Sequence, residues 1–226
     1  TDWVYAVALT PDEKKVISAS WDCSIKIWDL VGRKFEYVFN EAHTGYVYSI
    51  AILSDGKTMM SGSSDKSIKF WDLEERKCTE ILNYAHKQAV RVMIVGPDDK
   101  LLFTGSDDKT IKIWGIKKKQ LLHTFEAAHD KTIDALVVTS DVKILFSGSW
   151  DRSIKVWDPN NYKAIRTFEK AHDGPINDLA LTSDDRYMLS VSGDHTIKMW
   201  DLHLKACVYT FEKAHTHNIR KIIIIQ

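Results

Sequence analysis

The chain has 226 residues, 44% hydrophobic and 27% charged, a composition that fits a folded globular protein and excludes collagen-like or disordered classes. Its 31 Lys and Arg balance 31 Asp and Glu, so it lacks the basic excess of a general nucleic-acid or membrane-surface binder. No apolar run approaches the ~20 residues that cross a bilayer as a helix. Three scattered cysteines, Cys23, Cys78 and Cys207, argue against a disulfide framework and for a reducing compartment, the cytoplasm or nucleus.

The sequence begins on Thr1, with no initiator Met and no visible secretory signal. A first strand is predicted over Val4–Leu9. Asp22 then marks a tight turn, after which CSIKIW alternates with the period of two that defines a strand. From there the pattern returns at a fixed interval. In the second unit four strands are predicted, at Val47–Leu53, Lys57–Ser63, Ser67–Leu73 and Lys77–Asn83. The turn signals Ser54-Asp55-Gly56, Ser64-Asp65-Lys66 and Glu74-Glu75-Arg76 separate them. Later units repeat the third strand as KTIKIW, RSIKVW and HTIKMW, and a last strand is predicted over Asn218–Ile225.

Trp28, Trp71, Trp114, Trp157 and Trp200 are spaced 43 residues apart, and so are Asp22, Asp65, Asp108, Asp151 and Asp194. His43, His86, His129, His172 and His215 keep the same period. The units run 1–43, 44–86, 87–129, 130–172 and 173–215, with a partial unit at 216–226, all in one domain of residues 1–226. One four-stranded unit cannot bury both faces of its sheet alone. Radial stacking of units covers the faces and leaves few open edges, so the expected fold is all-β, a propeller of four-stranded antiparallel blades. Five full units with one extra strand leave the circle unfinished, which points to part of a larger ring of about seven blades. If this portion exists alone, its open edges predict self-association. Cys78 and Cys207 share a register with Phe35, Leu121 and Ala164, which predicts an apolar packing position.

The pairs Trp28-Asp29, Trp71-Asp72, Trp157-Asp158 and Trp200-Asp201, each preceded by Asp-x-Ser/Thr-Ile-Lys-x-Trp, together with the periodic His, resemble the WD-repeat β-propellers. The resemblance covers essentially the whole chain. Two departures are visible: the usual Gly-His is Ala-His in every unit, and the third pair reads Trp114-Gly115.

Each complete unit holds a His, a Ser or Thr, an Asp and a Trp. In the second unit these are His43, Ser61, Asp65 and Trp71, and in the third His86, Thr104, Asp108 and Trp114. The fourth has His129, Ser147, Asp151 and Trp157, and the fifth His172, Ser190, Asp194 and Trp200. These could be mistaken for hydrolase triads. A triad needs one exposed nucleophile beside an oxyanion hole, and four copies around a ring do not supply one. A hydrogen-bonded staple between the loop before the first strand and the third strand accounts for them, and the resemblance implies the same structural role. No catalytic residue, metal site or cofactor is expected; His215-Thr216-His217 lacks a third ligand and reads as a solvated loop.

Partner specificity should lie where the copies differ. Trp3, Tyr5, Tyr46 and Tyr48 fall at the start of the first strand, and Trp21 and Trp150 immediately precede the turn Asp. Both registers map to the mouth of the central channel, where the resemblance places partner contacts. The expectation is a cluster of Trp3, Tyr5, Trp21, Tyr46 and Tyr48 on two adjacent blades. Trp150 would sit across the ring, and Arg91, Asp107 and Asp134 would act as charged orienters. The leading function is a non-catalytic scaffold that binds a peptide or loop of a partner protein, with apolar residues and a basic or acidic flank. Two others compete: a substrate-recognition subunit of a ubiquitin-ligase-type complex, and a small-molecule-binding or enzymatic propeller. Partners are other proteins or peptides, with no membrane, and neutrality argues against nucleic acid.

Overall fold

A computed structural model describes residues 2–224. Blade one contains β1 (Val4–Leu9), β2 (Lys15–Ser20), β3 (Ile25–Asp29) and β4 (Lys34–Phe39). Blade two contains β5 (Val47–Ile52), β6 (Thr58–Ser63), β7 (Ile68–Asp72) and β8 (Lys77–Leu82), each within a residue or so of the strand its pattern predicts. Blade three follows as β9 (Val90–Val95), β10 (Leu101–Ser106), β11 (Ile111–Gly115) and β12 (Gln120–Phe125). Blade four is β13 (Ile133–Val138), β14 (Leu145–Ser149), β15 (Ile154–Asp158) and β16 (Lys163–Phe168). Blade five is β17 (Ile176–Leu181), β18 (Tyr187–Ser192), β19 (Ile197–Asp201) and β20 (Ala206–Phe211). Every blade is one antiparallel sheet whose strands pair in chain order.

The apolar cores lie between blades rather than within them. Ile17, Ala19, Ile25 and Ile27 of blade one face Val47, Ile50, Met59 and Trp71 of blade two in one cluster. The same registers repeat with Ile68 and Phe70 against Val90, Met93 and Trp114, and again at the two later junctions. At three of the four junctions one glycine sets the spacing, and Ala19 holds the same register at the first. A Cβ on Gly62 would lie 2.7 Å from Val90 Cγ1, and one on Gly105 or Gly148 would meet Ile133 or Ile176 as closely. The bare backbone is what lets the next blade's β-branched side chain seat.

At the two ends of the row this packing is incomplete. Trp28 is 38% exposed, whereas its counterpart Trp71 is 5% exposed beneath blade one; Val4, Val7, Leu9 and Leu30 are exposed with it. On blade five, Tyr209 and Phe211 are exposed. The segment from Asn218 to Ile224 takes the position of a further innermost strand. Ile219 is buried in the register of Val90, its N–H donates to the Ser192 carbonyl, and its own carbonyl accepts from Asn177 Nδ2 at 2.7 Å. The Ile222 N–H donates to Asp178 Oδ2 at 3.0 Å, much as the Met93 N–H donates to Ser49 Oγ at an internal junction. Among the described residues nothing pairs with this segment in a ladder, and Ile225 of the predicted strand lies outside them.

One expectation is corrected. Cys78, Cys207, Phe35 and Leu121 are exposed rather than packed, because their register lies on the fourth strand, opposite the Trp, and among the described residues no outer layer covers that strand.

The bare front of blade one and the partly bare back of blade five repeat the surfaces that pack at every internal junction, so they are complementary to each other. Light scattering on the 226-residue chain is expected to show concentration-dependent oligomers, and Val7→Lys with Leu30→Glu to weaken association about tenfold or more. A chain that stays monomeric at high concentration would show that these faces do not pair.

Candidate interaction surface and the repeated polar network

The network is built the same way four times. In blade two, Trp71 Nε1–H donates to Ser61 Oγ at 2.8 Å, and Ser61 Oγ lies 2.7 Å from His43 Nε2. His43 Nδ1 lies 2.8 Å from Asp65 Oδ2, which also accepts the Thr44 N–H. With the Trp donating at one end and the carboxylate accepting at the other, one direction satisfies every atom: the Ser hydroxyl donates to Nε2 and Nδ1–H donates to Asp. In blade three, Trp114, Thr104, His86 and Asp108 repeat the chain, with Thr104 Oγ1 2.7 Å from His86 Nε2. In blade four, Ser147 Oγ accepts from Trp157 and lies 2.7 Å from His129, which meets Asp151. In blade five, Ser190 Oγ does the same between Trp200 and His172, which meets Asp194.

The central hydroxyl residues differ from the other candidate positions. Ser61, Thr104, Ser147 and Ser190 are each 0% exposed, so they are core residues and not part of any site that a ligand can reach. They lie on the second strand of each blade, closed over by the indole and imidazole they bond, and no substrate can meet them as nucleophiles.

Sequence reading missed two further members. Ser67, Thr110, Ser153 and Thr196 each donate a hydroxyl to the turn Asp at 2.6–2.7 Å. Lys69, Lys112 and Lys198 reach back to the carbonyls of Ala42, Ala85 and Ala171. Both registers repeat in the sequence, which was the available signal.

Burial, the largest influence, holds His43, His86 and His172 below the ordinary imidazole value against the pull of their Asp partners. Burial also opposes ionisation of Asp65, Asp108, Asp151 and Asp194, yet their His and Ser or Thr neighbours outweigh it and keep all four carboxylates low, Asp194 at about 2. Where the His is neutral, its Nδ1–H donation and not a full charge steadies the Asp.

The varying registers meet at one end of the blades, because the backbone ties them together. The Trp21 N–H donates to the Trp3 carbonyl, Ser64 to Tyr46, Asp107 to Ala89 and Trp150 to Thr132, at 2.9–3.1 Å. Trp3, Trp21 and Tyr46 form a near-parallel stack with centroids 5.3 and 4.9 Å apart. Tyr5 stacks on Trp21 and meets Tyr48 edge-on at 5.1 Å. Arg91 then lies over Tyr48 at 4.2 Å and donates to Asp134 Oδ1 at 2.9 Å and to the Tyr5 hydroxyl at 3.2 Å. Burial opposes its charge, but Asp134 more than compensates and raises its pKa further. Asp107 lies 3.7 Å from Arg91 and accepts from Thr132, another residue the sequence reading missed.

Trp150 stands on blade four, apart from the early blades, but is joined to their aromatic group through Asp134 and Arg91. Its Nε1–H donates to Asp134 Oδ2 at 2.6 Å, and Arg91 sits over its ring at 5.9 Å. The long guanidinium bridges blades that the register argument treated as distant. All nine residues therefore form one continuous group. Tyr5, Trp21, Tyr48 and Arg91 brace it from below, while Trp3, Tyr46 and Trp150 present exposed rings, Trp3 at 68%. Trp21 Nε1 is buried and finds no hydrogen-bond partner among the described residues. No three His, Cys, Asp or Glu side chains among the described residues converge as a metal site requires, and His215 and His217 are exposed.

Two outcomes test the network. Asp151→Ala leaves the His129 Nδ1–H, the Asp130 N–H and the Ser153 group without their acceptor, so it should cost about 2–4 kcal/mol. In a chain of this size that is a fall of roughly 5–10 °C in calorimetric Tm. Acidification should destabilise in two stages. The folded-state values lie below the unfolded ones for both groups, so the unfolded chain takes up more protons as pH drops. The histidine contribution is lost below about 6.5 and the carboxylate contribution below about 4. Urea midpoints should descend accordingly; a midpoint flat down to pH of about 5.5 would contradict neutral buried histidines.

The family model described as WD domain, G-beta repeat matches residues 1–29, 33–72, 76–115, 119–158 and 162–201. No curated protein matches the chain. Each matched segment ends one residue after the Trp of a third strand, so the family repeat and the blades are the same units in shifted frames. With matches over most of its length and the polar network in four blades, the chain belongs to the WD domain, G-beta repeat family.

Proposed function

We propose that this chain is a non-catalytic interaction scaffold that grips a peptide or loop of a partner protein on the aromatic end of blades one to four. Repeats of this family generally mediate protein–protein interaction. One observation above all supports the reading: Trp3, Tyr46 and Trp150 stay exposed while a stacked, ion-paired layer fixes them from beneath. Rigid aromatic anchors lose little conformational entropy on binding, and charged groups already paired with one another do not have to be desolvated anew. The complete burial of Ser61, Thr104, Ser147 and Ser190 in the polar networks supports a role without catalysis. Free cysteines on the surface suit a reducing compartment such as the cytoplasm.

The test uses exposed rings only, since Trp21 and Tyr48 brace the layer. Trp3→Ala with Tyr46→Ala should leave Tm within about 2 °C and remove the proteins that wild-type chain captures from its native source. Capture that survives the double variant would move the binding surface elsewhere.

A further inference from the structure

We infer that the segment gripped by this surface is acidic, with Asp or Glu residues beside the apolar residue that meets Trp3 and Tyr46. The inference rests on the proposed function and adds the partner's charge to it.

Three lysines converge where blades two and three meet. The Lys66 carbonyl accepts the His86 N–H, and the neighbouring Lys87 N–H donates to Asp108 Oδ2 at 2.8 Å, one residue before Lys109. One backbone link and one to the Asp108 carboxylate thus set Lys66 beside Lys87 and bring Lys87 near Lys109. All three are exposed, and among the described residues none has an ion-pair partner. The acids of this junction, Asp65 and Asp108, are enclosed by N–H, hydroxyl and imidazole donors rather than ammonium groups. The following junctions differ, because the residue after the His there is an exposed Asp130 or Asp173. Positive charge with no acid beside it is therefore held by Lys66 and Lys87, whereas Lys109, whose carbonyl accepts the His129 N–H, stands beside Asp130.

That pair adjoins the aromatic rings. Tyr46 accepts the Ser64 N–H through its carbonyl, and Ser64 is two residues before Lys66. An extended segment laid across Tyr46 would run its next residues over Lys66 and Lys87. Arg91, the other cation of the surface, cannot take the same role, because Asp134, Tyr5 and the aromatic faces already occupy it. With zero net charge on the chain, long-range attraction is absent, so selection must come from this patch within about 8 Å, the screening length near physiological salt.

The experiment is selection of short random peptides displayed on phage against the 226-residue chain. Retained clones are counter-screened on Trp3→Ala with Tyr46→Ala and on Lys66→Glu with Lys87→Glu, both checked for unchanged Tm. Clones that need the two rings, are enriched in Asp and Glu, and bind about tenfold more weakly to the charge-reversed variant in low salt are the expected result. Ring-dependent clones that are neutral or basic, or indifferent to charge reversal, would overturn the acidic assignment and leave the proposed function standing. An absence of ring-dependent clones would overturn both. A single-stranded oligonucleotide bound more tightly than the best peptide at equal salt would assign the lysines to nucleic acid and overturn the inference.

Discussion

The fold depends on one contact, found bare of any Cβ at three of the four blade junctions and with Ala19 at the first: a β-branched side chain from one blade seated on the backbone of the blade before it. Val90 on Gly62, Ile133 on Gly105 and Ile176 on Gly148 leave no space for a Cβ, so the two sheets approach until their apolar faces close. Neither sheet has a core of its own, and burial of Trp71, Met59 or Phe103 exists only because a neighbour is present. Trp28 shows the converse. It has the same residue type, strand position and hydrogen bond to a serine as Trp71, yet without a preceding blade it remains exposed. Stability in such an array belongs to the junctions more than to the units.

The polar network works within that limit. Apolar packing fixes how far apart blades lie but does little to fix the loops that join them, since dispersion is not directional. The Trp–Ser–His–Asp chain is directional and fully satisfied, and it crosses from the loop before the first strand to the second and third strands. It resembles a catalytic triad in residue type and distance because both need a neutral imidazole held in one tautomer by a carboxylate. The difference is the Trp N–H, which occupies the oxygen of Ser61, Thr104, Ser147 or Ser190, and the burial that keeps any substrate away from it.

The same reasoning explains which features could be read from the sequence. The period of 43 determined the blades, the network and the ends of the strands, because those features depend on registers and registers are one-dimensional. Features that depend on reach were not legible. Arg91 spans from Tyr5 of blade one to Asp134 of blade four, and no local pattern in the sequence measures the length of a guanidinium arm laid over the ring mouth. That bridge is why Trp150 joins the aromatic group. Cys78 failed for another reason: apolar register-mates mark a packing position only if something covers the strand, and the fourth strand has no outer neighbour among the described residues.

Arg91 also sets how charge is distributed within the surface. A cation set among Tyr5, Tyr48 and Trp150 satisfies the electron-rich ring faces from within, and Asp134 and Asp107 neutralise it in turn, so the centre of the layer offers an incoming charge no unpaired partner. Of its open rings, Tyr46 lies beside the turn that carries Lys66, while Trp3 and Trp150 stand on blades one and four. A surface that looks merely aromatic by composition is, by the placement of one internal arginine, a layer whose ring faces and central charges are paired before any partner arrives.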